Sequence, residues 1–157
     1  MAVKEAKYDL ILTTDIDMSV SLFQLSDWLK KKLINLNDAV YFASRTHEKS
    51  IVKKNFFRNI LGNIMRFIIS TILNIKIRDT QCGFKLYKKK IAKIVFAKIK
   101  NYGFDHDLEI VLLLKSKKVK IIELPVKWIH KDNSSLNILW DPIRMLMGIL
   151  KIRIRYF

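Results

Sequence analysis

Only one cysteine, Cys82, occurs in the 157 residues. That excludes an intramolecular disulfide and any metal site built from several cysteines; a lone thiol fits a reducing compartment without demanding one. No stretch reaches the roughly 20 consecutive apolar residues of a membrane-crossing helix, so any membrane contact is expected from a chain lying on the surface. The opening "MAVKEAKYD" is charged and carries no apolar signal core. Internal repeats, low-complexity segments and the usual nucleic-acid-binding signatures are also missing, so nucleic acid is not an expected partner. Acids are scarce as well: 14 Asp+Glu stand against 30 Lys+Arg, a net charge of +16 at pH 7. Such a surplus favours anionic partners, from phospholipid surfaces to phosphorylated small molecules. A codon bias toward Lys, Ile and Asn would produce the same surplus, so charge alone does not decide.

What is present suits one packed domain over 1–157, because half of the residues are hydrophobic. "YDLILTT", residues 8–14, has the length and composition of a buried strand. Ser19 or Ser21 can cap a helix through "LFQLSDWLKKKL". A second strand is expected at Ala39–Ser44, a long helix over Asn55–Asn74, a strand at "FKLY" and a helix at "KKIAKIVFAKI". "DHDLEIVLLLKSKK" predicts a helix, and "KVKIIELPVKWI" a strand interrupted or edged by Pro125. Asp141-Pro142 has the form of a helix start; the alternating "KIRIRYF" suggests that this helix ends early. Strands alternating with helices predict an α/β fold with a partly parallel sheet.

Asp15 and Asp17 stand just past the carboxyl end of the first strand, where open α/β sheets bind ligands. In extended chain the i, i+2 spacing turns both carboxylates the same way, toward one hard cation. The same pair equally fits a capped helix start on a solvated loop. In the long helix Asn55, Asn59, Gly62, Arg66, Ser70 and Asn74 form a polar stripe opposite Phe57, Leu61, Ile64, Ile68, Ile72 and Ile75. The C-terminal helix repeats the pattern, with a narrow basic stripe of Arg144, Gly148, Lys151 and Arg155 amid apolar residues. Either helix can pack on the sheet or lie in a membrane interface.

The motif order "DLILTTDID", "ASR", "RDTQCGFKLY", "DLE", "ELPVKW" and a basic apolar tail resembles the polyprenyl-phosphate glycosyltransferases of family 2. Among them it resembles the dolichyl-phosphate β-glucosyltransferases. The resemblance covers essentially the whole chain, and "DTQCGFK" is its most specific element. It implies the A-type glycosyltransferase fold, a Rossmann-like nucleotide-diphospho-sugar transferase, with amphipathic interface helices. By the same resemblance Asp15 and Asp17 hold Mg²⁺ or Mn²⁺, and Asp79, the acidic residue of the acceptor loop, is the catalytic residue that orients the acceptor or the sugar. Arg45 and Arg58 hold phosphate, Gln81 and Lys85 share that loop, and Asp107 and Glu109 form a D-x-E pair beside the ligands. The dense loop then serves sugar, diphosphate and lipid phosphate together, with Gly83 admitting close backbone approach.

Three departures stand out. Asn133-Ser134-Ser135 replaces a G-S-K, His106 stands in place of an aromatic, and the first, nucleotide-binding strands of the family are missing. The chain thus reads as the acceptor-side half of the enzyme, a single partial domain with Met1 internal to a longer protein. The expected activity is inverting, metal-dependent transfer of a hexose, by the form of the loop glucose, from UDP-glucose to dolichyl or polyprenyl phosphate. Its expected place is the cytoplasmic face of a membrane, bound peripherally to an anionic surface, with a separate N-terminal half as a further partner. The rival reading is a catalytically inactive, truncated remnant acting at most as a basic membrane-binding module.

Overall fold

A computed structural model describes residues 2–35, 40–52, 56–101, 103, 105–129 and 140–157, the side chains of 56–59 and 141 excepted. Helix α1 (Ala2–Glu5) precedes strand β1 (Leu10–Thr13), helix α2 (Phe23–Lys30), strands β2 (Val40–Ser44) and β3 (Ile51–Val52) and the long helix α3 (Phe56–Leu73). Strand β4 (Lys85–Lys88), helices α4 (Lys89–Phe96) and α5 (His106–Ser116), strands β5 (Ile121–Pro125) and β6 (Lys127–Trp128) and helix α6 (Trp140–Tyr156) follow.

One sheet has the order β1-β4-β2-β5. β4 runs antiparallel to both neighbours, whereas β2 and β5 run parallel. β3 and β6 make a separate parallel pair. The mixed α/β class with a partly parallel sheet is therefore found. β2 is buried on both faces, as its unbroken apolar run requires. Val40 and Phe42 face the larger core with α3, α4, α5 and α6; Tyr41 and Ala43 face the smaller one with Trp28, Phe84 and Leu124. This is the two-residue alternation of a strand. Each fully buried large side chain here contributes about 1.5–3 kcal/mol.

Pro125 ends the pairing with β2, and after Val126 the chain joins β3 instead. The interruption expected there is real, and Trp28 Nε1 donates to the Pro125 carbonyl at 2.8 Å to close it.

Three expectations need correction. β1 is not a buried strand: it is the last strand of its sheet among the described residues, with Leu10 exposed and only Ile11 buried. An apolar run reports composition, not position in a sheet. The C-terminal helix does not end early either, but continues to Tyr156, because Met145, Ile149 and Ile152 bury one face at helical spacing. Gly148 belongs to that buried face, not to the basic stripe; a Cβ there would lie 2.8 Å from the Asp105 carboxylate. In α3 the buried face centres on Ile69 and Leu73, leaving Ile64 exposed.

With only four glycines in the chain, the left-handed residues that end helices are not glycine. Lys32, Asn74 and Lys118, at φ 52°, 49° and 55°, follow α2, α3 and α5. Asn74 matters for the site, since it turns the chain back along α3.

Candidate active site

The loop 79–84 and the strand ends beside it gather most of the charged residues singled out above. Asp79 is buried and bidentate with Arg45: Nε donates to Oδ2 and Nη2 to Oδ1, both at 2.8 Å. The Arg45 backbone N–H adds a third bond at 2.8 Å. Burial alone would raise the Asp79 carboxyl, but the hydrogen bonds and charge of Arg45 hold it below the ordinary aspartate range. Arg45 is raised in turn, Asp79 outweighing the effect of burial. The loop's entry is fixed from β5, where the two oxygens of Glu123 accept the Arg78 and Asp79 backbone N–H groups at 3.1 and 3.0 Å.

At the other end of the loop, Thr13 at the end of β1 donates to the Gly83 carbonyl at 2.9 Å. Asp15, two residues on, accepts the Gly83 N–H at 3.3 Å. A Cβ on Gly83 would stand 2.1 Å from Asp15 Oδ1, so a larger residue here would have to push this carboxylate aside. Burial raises the Asp15 carboxyl, Asp17 and Asp107 push the same way, and the Gly83 N–H and Lys85 only partly offset them. Asp17 is turned onto Ser19, accepting its N–H at 2.9 Å and its hydroxyl at 2.6 Å. Lys85 is fully buried, pairs with Asp107 at the start of α5 and stands over the Phe42 ring at 5.0 Å.

Asp15, Lys85 and Asp107 therefore share one electrostatic neighbourhood with Asp17 at its rim. Among the described residues no group of three His, Cys, Asp or Glu could hold a metal by itself. The donor set is compatible with a hard cation held by one or two carboxylates plus substrate phosphates, Asp15 being exposed to solvent beside Gly83.

Other residues lie elsewhere. Gln81 points toward α6, with Nε2 3.5 Å from Met145 Sδ. Glu109 is buried away from the loop. It accepts the Lys100 and Asn101 N–H groups at 3.0 and 2.8 Å and the Tyr156 hydroxyl at 2.7 Å. Burial would raise its carboxyl, yet these bonds and Arg155 lower it, while the Tyr156 hydroxyl is pushed up to about 12. Glu109 ties α5 to α6. The Arg58 side chain and the Asn133-Ser134-Ser135 departure lie outside the described residues. Two contributors were missed from sequence: Glu123, whose one signal is an acid inside the apolar "IIELP", and Asp105 against Gly148.

No protein-family model matches the chain. Curated relatives do. A dolichyl-phosphate beta-glucosyltransferase of Trichomonas vaginalis is 31% identical over 156 residues, 96% of this chain and 47% of its own length. That of Dictyostelium discoideum is 29% identical over 153 residues, again 96% and 47%. The Homo sapiens protein is 29% identical over 163 residues, 99% of this chain and 50% of its own. The chain is thus related along nearly its whole length to dolichyl-phosphate beta-glucosyltransferases, and it spans about half the length of the curated relatives it matches.

Proposed function

We propose that these residues form the acceptor-side half of an A-type glycosyltransferase that moves glucose from UDP-glucose to dolichyl phosphate with inversion. The observation that carries this reading is Asp15 seated on the Gly83 N–H within the field of the Lys85–Asp107 pair, in a chain similar throughout to named glucosyltransferases. The acceptor phosphate is anionic at neutral pH, so the site needs no strong base. Mg²⁺ or Mn²⁺ bound at Asp15 and Asp17 would supply Lewis-acid neutralisation of the departing diphosphate. Arg45, its Nε and Nη2 held by Asp79, presents the outer edge of its guanidinium to the acceptor phosphate, with Arg58 as second cation. Asp79 acts through Arg45 as a positioning residue. Lys85 pairs with Asp107, so that Asp15 rather than Asp107 is left for the cation.

The reading includes peripheral attachment to the cytoplasmic face of a membrane. No helix among the described residues is long and apolar enough to cross one. Instead α3 exposes Ile60, Ile64 and Phe67, and α6 exposes Ile143, Met147, Leu150 and Ile154, each series at helical spacing beside basic residues. Such stripes suit a membrane interface. Transfer of labelled glucose to dolichyl phosphate, by a protein in which these residues are joined to a complementary half, tests the whole reading. Absence of transfer by that joined protein would refute it.

The rival reading, an inactive remnant that only binds membranes, is favoured by one feature: β1 pairs on one side only among the described residues. In a chain without a partner strand, an unpaired edge of this kind is a liability for aggregation. Both readings expect no transfer by the 157 residues alone; only the first expects a complementary half to restore it.

A further inference from the structure

Beside the Arg45–Asp79 pair lies a cavity of about 590 Å³ that the mechanism above does not use. Its walls are α3 and the return segment that Asn74 turns back along it. In "NIKIR" the alternation of extended chain buries Ile75 and leaves Lys76 and Arg78 exposed. The backbone here is held at both ends: Lys115 Nζ donates to the Asn74 carbonyl at 2.8 Å, and Glu123 grips the N–H groups of Arg78 and Asp79. From α3 comes Arg66, its guanidinium bonded to Asn63 one turn back. Thr46, one residue past Arg45, adds a hydroxyl, and Phe67 adds an exposed ring.

Among the described residues no carboxylate pairs with Arg66, Lys76 or Arg78. Asp79 is the acid whose field reaches Arg66, and both its oxygens are already taken by Arg45. Burial lowers the Arg66 guanidinium, and the charge of Arg45 works against the pull of Asp79. Three cations with hydroxyl and amide donors, held on a braced wall, are therefore short of an anion.

We infer that this cavity binds a phosphate group through Arg66, Lys76 and Arg78, at a site distinct from the Asp15 cluster. The size suits more than a bare ion, and Phe67 at the wall suits a phosphate carried on an apolar chain, so a lipid headgroup and a free phosphate share the chemistry. The inference does not rest on glucosyl transfer and stands even for a chain that transfers nothing.

Titration calorimetry on the 157-residue chain with inorganic phosphate, dihexanoyl phosphatidic acid and, as an uncharged-overall control, dihexanoyl phosphatidylcholine tests it. R66Q/K76Q/R78Q, with circular dichroism checking the fold, should weaken binding of the phosphate ligands about tenfold or more, as loss of charged hydrogen bonds implies. F67A assigns the source: a loss confined to phosphatidic acid identifies a lipid headgroup, and no change for either identifies free phosphate. K76Q/R78Q alone, on an exposed segment, should weaken binding by a smaller factor if the triple variant fails to fold. Absence of phosphate binding by the unaltered chain, or equal binding by the folded variants, would overturn the inference.

Discussion

Asp79 and Asp15 flank the same loop, yet their surroundings drive them in opposite directions. Asp79 is buried with three hydrogen bonds from one arginine and is held ionised. Asp15 is partly desolvated, with one long bond to a backbone N–H and two other carboxylates in its field, and its ionised form is disfavoured. The difference separates a carboxylate locked in an ion pair from one held only by a backbone N–H, the one that in the proposed function meets a cation. Residue type and loop position do not distinguish them; the partner supplied by β2 does.

The largest effect that would break this contrast is on stability. Asp79→Asn leaves Arg45 without its charge partner and should cost about 3 kcal/mol in urea unfolding, toward the lower end for a broken buried pair. The low figure reflects an Arg45 side chain still 27% exposed. Gly83→Ala comes next, at roughly 2 kcal/mol, because the new methyl group must displace Asp15 or the loop. That cost should shrink sharply in the double variant with Asp15→Ala, a coupling read from a double-mutant cycle. Additive losses would show that Gly83 is needed for some other reason.

The pH dependence sharpens the comparison further. Because the Asp79 carboxyl is depressed in the folded state, its contribution is fully present above the ordinary aspartate range. It is lost as pH falls through the lower, folded value, where the unfolded chain already binds the proton. Stability of the unaltered chain should therefore fall more steeply on acidification than that of Asp79→Asn, measured by urea midpoints between neutral and strongly acidic pH. Parallel curves would contradict the ion pair. The smallest effect concerns Cys82, whose thiol burial pushes up to about 11. It should react with a disulfide reagent at neutral pH only as fast as the chain unfolds, and at once in denaturant.

Much of this was legible because it is local. Asp15 and Asp17 past a strand, glycine at a close approach and a strand broken at Pro125 all follow from near neighbours. The Arg45–Asp79 pair joins residues 34 positions apart, and Glu123 reaches a loop 44 positions upstream. Those contacts depend on β4 and β5 flanking β2, an order that no spacing in the sequence encodes. The basic face of α6 was misjudged, and the division of the apolar face of α3 was out of reach, for the same kind of reason. Polar spacing singles out a stripe, but Gly148 is buried because Asp105 lies over it, and Ile64 is exposed because Ile69 and Leu73 take the core. The Asp107–Glu109 pair reads as one motif, yet one acid meets Lys85 and the other braces α6.

The central claim of the proposed function is that Asp15 serves catalysis through the cation and Asp79 only through its hold on Arg45. Its most direct test is the rate of glucose transfer from UDP-glucose to dolichyl phosphate by the joined two-half protein, with and without Asp15→Asn and EDTA. The account predicts that Asp15→Asn folds with undiminished stability and transfers nothing, and that EDTA silences the unaltered protein. Full transfer by Asp15→Asn, or undiminished turnover in EDTA, would contradict it.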